Sequence, residues 1–138
     1  MEEGYHIESM EEPAWEVIGG GIRDYNNQQA GDGHGKNLCF VLRAPDHSIL
    51  GGVIAETHWN WLFINLMWLK EEFRGRGYGQ QLLIAAEEEG RRQGASEAYL
   101  DTFSFQAPEF YKKNGYHVFG VLENFPPGHQ RYYFTKTL

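Results

Sequence analysis

One segment constrains the fold of this chain more than any other. Trp61–Leu69 (WLFINLMWL) is apolar at all nine positions except Asn65. It is far short of the roughly 20 residues a helix needs to cross a bilayer. A short apolar run between turn residues is instead the pattern of a central strand buried on both faces. An acidic turn follows, Lys70-Glu71-Glu72-Phe73, and then Arg74-Gly75-Arg76-Gly77-Tyr78-Gly79. From there the periodicity becomes helical. Gly79, Leu82, Leu83, Ala86 and Gly90 form one face, and Glu87-Glu88-Glu89 are expected on a solvated one. A buried strand that runs through a glycine loop into an amphipathic helix requires a sheet on which that helix can pack.

The rest of the chain supplies the sheet. Tyr5–Glu8 is expected as a short strand. Pro13 stands at a helix start, and Trp15, Ile18, Ile22 and Tyr25 then recur on one helical face. Gly19-Gly20-Gly21 interrupts that face at about 1 kcal/mol per glycine relative to alanine, so a kink or two short helices are expected. Asn26–Gly35 has loop composition. Strands are expected at Leu38–Arg43 and Ile49–His58, followed by Trp61–Leu69. The turns between them are Ala44-Pro45-Asp46-His47 and Trp59-Asn60. Beyond the central helix come a strand at Ala98–Thr102 and a short helix at Ala107–Lys113. Tyr116–Glu123 and Gln130–Thr137 form a closing hairpin around Asn124–Gly128. This succession predicts an α+β fold with helices on the faces of the sheet. At 138 residues it fits one domain, 1–138.

Charge and composition narrow the function classes. Nineteen acidic against twelve basic residues give a net charge of −7, the wrong sign for a non-specific nucleic-acid binder. No apolar run approaches a membrane span, and the acidic N-terminus shows no secretory signal. The one cysteine, Cys39, lies in an expected strand as a core residue, and its isolation fits a reducing cytoplasm. Six histidines are scattered without i,i+4 pairs or a cysteine partner, so no metal site is expected.

The chemistry lies between Leu69 and Gly90. Glycines between a strand and a helix N-terminus let backbone amides approach an anion, and the helix dipole adds positive potential there. Arg74 and Arg76 add charge in an otherwise acidic chain, which points to a phosphate or pyrophosphate site. A Walker loop would end in Gly-Lys-Ser/Thr, whereas this loop has Gly79-Gln80. A dinucleotide fingerprint would need G-x-G-x-x-G, which is also absent. The pattern present is R-x-x-G-x-G, at Arg74, Gly77 and Gly79. With its preceding strand it resembles the acetyl-CoA motif of the GNAT superfamily of N-acetyltransferases. Downstream, Phe110-Tyr111-Lys112-Lys113-Asn114-Gly115-Tyr116 resembles that family's F-Y-x-x-x-G-F/Y segment. The resemblance runs from about Leu38 to the C-terminus.

It implies a GNAT-like fold: a twisted, mixed, mostly antiparallel sheet flanked by helices on both faces. It also implies acetyl-CoA as co-substrate and no metal. Met67, Trp68 and Leu69 would bond the pantetheine arm as an added strand would. The amides of Gly75, Arg76, Gly77, Tyr78, Gly79 and Gln80 would cradle the pyrophosphate, with Arg74 nearby. Ser104 stands where many relatives place an asparagine that contacts the arm. Tyr111 matches the tyrosine that faces the CoA sulfur.

The acceptor side is less defined. Glu56, on the strand beside the central one, is the nearest candidate base, with His58 beyond it. Water relaying the proton is the other route, since Asn65 cannot act as a base. Asn65 is either a satisfied core amide or a polar group in the acceptor pocket, and Trp59 either walls that pocket or simply packs. The function expected is transfer of acetyl from acetyl-CoA to a small-molecule primary amine by direct attack in a ternary complex, in a monomer or homodimer. A CoA-binding module without catalysis, or a transferase for protein lysines or N-termini, are the alternatives.

Overall fold

Six strands pair into one sheet in the computed structural model, which describes residues 2–138. They are β1 (Lys36–Arg43), β2 (Ile49–His58), β3 (Trp61–Leu69), β4 (Glu97–Phe103), β5 (His117–Glu123) and β6 (Gln130–Thr137). Their order is β1-β2-β3-β4-β6-β5. Every neighbouring pair is antiparallel except β3 and β4, which are parallel. The parallel step needs a crossover, and α2 (Tyr78–Arg92) provides it. A second helix, α3 (Pro108–Lys113), links β4 to β5. The sheet is mixed and mostly antiparallel, as expected.

Alternation along the strands sorts the side chains. Leu38, Val53, Ala55, Leu62, Ile64, Ala98, Leu100 and Phe134 all face one side. There they meet Leu82, Leu83 and Ala86 of α2 and Tyr111 of α3 in a single core. Gly79 lies at the α2–α3 crossing, where an added Cβ would come within 3.3 Å of the Phe110 ring. No helix of residues 34–138 covers the opposite face of the sheet. Within residues 34–138 the central strand is therefore covered on one face, where its composition predicts burial on both. Leu66 and Trp68 are 62% and 56% exposed. Cys39 lies on this open side, exposed rather than in the core.

The chain divides into two units at Gly33, with His34–Leu138 forming the sheet and its helices. In the N-terminal unit the expected strand at Tyr5–Glu8 is absent, and those residues form no ladder. The expected kink or break at Gly19-Gly20-Gly21 is absent too. Trp15–Ala30 is one helix, α1, which extends into the expected loop and closes where the Gly31 amide bonds the Asn27 carbonyl at 2.9 Å. Among the described residues no helix is long and apolar enough to cross a membrane.

The acidic run on α2 departs most from expectation. Glu88 and Glu89 are outside the core, but Glu87 is only 3% exposed. Its carboxylate accepts from the Tyr116 hydroxyl at 2.7 Å and from the Lys136 ammonium at 3.0 and 3.1 Å. Lys136 also donates to the Asn114 carbonyl at 2.9 Å, so the carboxylate ties α2 to β6 and to the end of α3. Burial and the facing carboxylate push the Tyr116 phenol far above its ordinary range, so it stays a donor. Removing one partner of a buried charged network leaves the other uncompensated, which costs about 3–5 kcal/mol in full burial. Lys136 retains some solvent, so Glu87→Ala is expected to lose about 2–3 kcal/mol. Urea denaturation at neutral pH measures that loss, and Glu87→Gln, which still accepts from Tyr116, should lose less.

Candidate active site

The site begins where two strands part. β3 and β4 pair only over Trp61–Ile64 against Glu97–Leu100. Beyond that point β3 follows β2 to Leu69, and β4 follows β6 to Phe103. The separation falls at Asn65. Ala55 faces Ile64 and Ile54 faces Leu66, which leaves Asn65 as an extra residue in β3. Such a bulge bends its strand and raises the local twist. Met67, Trp68 and Leu69 consequently have no β4 partners, and their edge toward β4 is available to an extended ligand.

At the far end of that edge the chain enters a short 3-10 turn, Glu71–Phe73, and then the arginine-glycine loop. Arg74 donates from Nε to the Leu69 carbonyl at 2.9 Å, which fixes the loop against the end of the strand. Arg76 lies over the rings of Phe73 and Tyr78, 5.2 and 5.6 Å from their centroids. It also reaches the Glu72 carbonyl at 3.3 Å. Gly77 caps α2 at φ 86°, ψ −4°, the left-handed region that glycine enters without strain. The Gln81 amide bonds the Gly77 carbonyl at 3.2 Å. The amides of Tyr78, Gly79 and Gln80 thus remain as the open donors of the first helical turn. These amides stand in the same loop as Arg74 and Arg76, the residues expected to meet an anion. The Gln80 side chain is otherwise engaged, donating to Asn114 Oδ1 at 3.1 Å.

Tyr111 comes to the slot from α3. It is 7% exposed, and its hydroxyl lies 3.8 Å from Met67 Sδ. Burial, and then the negative charge of Asp101, push its phenol up to about 12. The Asn114 side-chain amide closes α3 on the Phe110 carbonyl at 2.8 Å, and the Tyr116 amide bonds the Tyr111 carbonyl at 3.0 Å. The aromatic motif is therefore a device that holds one tyrosine at the parted strands. Ser104 is less free than its motif position suggests. Its Oγ accepts from the Gln130 amide at 3.1 Å, which leaves its proton and one lone pair for another partner.

On the open face a cavity of about 360 Å³ lies beside the point of parting. Asn37, Glu56, Phe63 and Tyr99 are successive partners across β1, β2, β3 and β4, and all four line it. His58 and Trp61, paired one row away, line it too, with Gly35, Lys36 and Thr57 at its border. Glu56, the candidate base, thus lines this cavity. Trp59 does not line the cavity and stacks on His58 with centroids 4.1 Å apart. Asn65, exposed at the bulge, is not a core amide.

The sequence reading passed over Phe63 and Tyr99, whose rings stack at 4.7 Å, and Asp101, one step beyond the last β4 residue paired to β3. Asp101 is held by Arg131 at 2.6 and 2.8 Å. The side-chain alternation of β4 marks Tyr99 and Asp101 as same-face residues, but only strand pairing brings them beside Glu56.

Known proteins resemble this chain in sequence and fold. The Acetyltransferase (GNAT) family profile matches residues 2–116. The chain belongs to the GNAT acetyltransferase family. It is 35% identical over 105 residues to acetyltransferase Atu2258 of Agrobacterium fabrum, across 73% of this chain and 77% of that protein. It is also 33% identical over 91 residues to the blasticidin-S acetyltransferase of Streptomyces morookaense, across 65% and 67% of the two chains. An acetyltransferase structure from Bacillus cereus superposes with a TM-score of 0.90 at 36% identity, over 97% of this chain and 98% of that one.

The GNAT loop geometry has a direct test. Valine at position 77 would have to hold φ 86°, which costs about 1–3 kcal/mol, or turn the loop amides away from their common focus. No atom lies within 4 Å of the Cβ it would add, so packing does not oppose the change. Gly77→Val is expected to stay folded, with Tm lower by a few degrees, and to lose at least tenfold in CoA affinity by calorimetry.

Proposed function

We propose that this acetyltransferase moves the acetyl group of acetyl-CoA to a primary amine of a small molecule by direct attack in a ternary complex. The observation that carries the reading is the placing of Tyr111, a protonated phenol whose hydroxyl lies against Met67 on the strand that parts from β4. The loop amides and Arg74 and Arg76 would hold the pyrophosphate. The free edge of Met67–Leu69 would bond the pantetheine arm and lead the thioester back toward Asn65. The similarity to a blasticidin-S acetyltransferase supports a small-molecule acceptor.

The amine attacks as the free base. For a lysine-like amine of pKa 10.4, reaching that form at pH 7 costs about 4.6 kcal/mol. Its nitrogen adds to the thioester carbon, and the C–S bond then breaks as electrons pass to sulfur. Tyr111 donates its proton to the departing thiolate, and the nitrogen's proton leaves for solvent. Glu56 is one sheet row from Asn65, about 7 Å along the strand, so we assign that proton to water in the open cavity rather than to direct capture by Glu56.

General acid catalysis contributes typically 10²–10⁴-fold, and a thiolate near its own pKa of about 8.5 calls for the low end. Tyr111→Phe is expected to lower kcat about a hundredfold while acetyl-CoA affinity stays within a few-fold, measured by thiol release and by calorimetry. Full turnover in that variant would leave Tyr111 as a packing residue. Because the phenol is raised to about 12, it stays protonated through the range in which amines lose theirs. The kcat profile should therefore rise with pH and show no descending limb up to about pH 10.

A further inference from the structure

The cavity on the open face has a composition that a primary amine alone does not require. Its back wall is aromatic. Phe63 and Tyr99 stack with ring planes 24° apart, and Trp61 stands edge-on to Tyr99 at 5.7 Å. Glu56 supplies the negative charge, directly across from Phe63 in the ladder and exposed. Among the described residues Glu56 enters no ion pair. Lys36 also borders the cavity, but it alternates in β1 to the side of Leu38, and its charge acts on Glu89. Asp101, the next carboxylate along this face, is already held by Arg131.

We propose that this cavity is the distal half of the acceptor site and takes a planar cation of the guanidinium type, carried by the acceptor about 7 Å from its reacting amine. The distance is the rise of two residues, from the row of Glu56, Phe63 and Tyr99 to the bulge at Asn65. A guanidinium suits the wall better than an ammonium. It is weakly hydrated, stacks flat on aromatic faces and offers a fork of donors to one carboxylate. Tyr99 reports the same field. Its phenol is raised first by burial and then by the charges of Glu56 and Asp101, so negative potential converges on the ring that would bear the cation.

The proposal rests on the acetyltransferase reading only for where the reacting nitrogen lies, and binding tests it separately from turnover. The probes are 4-guanidinobutylamine, 1,4-diaminobutane and n-butylamine, titrated by calorimetry into the full chain with and without CoA. The guanidino compound is expected to bind at least tenfold more tightly than n-butylamine, with the diamine between. Glu56→Gln, at an exposed position, should remove most of that preference while the affinity for CoA is unchanged. Tyr99→Leu should do the same if it folds. In turnover with acetyl-CoA the preference should appear in KM, with kcat alike for the three amines. Equal binding of the three probes, or a preference that survives Glu56→Gln, would overturn the cation site. Absence of acetyl transfer to any amine, with the binding preference intact, would instead overturn the proposed reaction and leave the site standing.

Discussion

The functional geometry depends on one interruption of backbone pairing. β3 and β4 share a parallel ladder for four residues each and then part at Asn65. A sheet that stayed paired to its ends would have no unpaired edge for an extended ligand and no opening between its faces. The bulge spends a local ladder bond and gains twist, and the divergence that follows lets a group on one face act beside a group on the other. Tyr111 belongs to the covered face and Asp101 to the open one, yet the charge of Asp101 acts on the Tyr111 phenol.

The two faces have different work. The covered face is the core, where Leu62, Ile64, Leu100 and Phe134 meet α2 and α3. It must hold Tyr111 still, and polar bonds contribute as well as packing. The Glu87 carboxylate joins α2 to Lys136, Lys136 joins the Asn114 carbonyl, and the Asn114 side chain joins Gln80 and Phe110. The helix that opens the anion cradle and the helix that carries the phenol are thus fixed to each other. The open face carries the adaptable part of the site, an aromatic wall with one carboxylate whose fit to an acceptor depends on side chains rather than on backbone.

Cradle and slot also divide the electrostatics of an acidic protein. With a net charge of −7 the chain as a whole repels a nucleotide phosphate. In the proposed reaction, backbone amides and the arginine pair would overcome that only locally, which calls for a closely shaped loop. The cationic acceptor proposed above would face no such conflict, and Glu56 would strengthen a field already favourable to it.

Much of this was legible in the residues. The glycine loop with its two arginines, the helix it opens and the aromatic motif ending at Asn114-Gly115 are local in sequence. Backbone freedom and helix periodicity are local too, so strand and helix positions in the region of the sheet followed within a few residues. The faces of the sheet were not legible. Trp61–Leu69 is apolar throughout, and composition cannot tell a strand covered twice from one with a bulge and an open side. Nor does a run of three glutamates reveal that Glu87 turns inward, because its partners Tyr116 and Lys136 lie 29 and 49 residues away. The sequence by itself determined the arginine-glycine loop and the tyrosine, since each depends on neighbours a few residues apart. Only the tertiary structure decided that Asn37, Glu56, Phe63 and Tyr99 form one wall, since that row exists through the register of four strands. Register is set by long-range pairing, which no single stretch of chain contains.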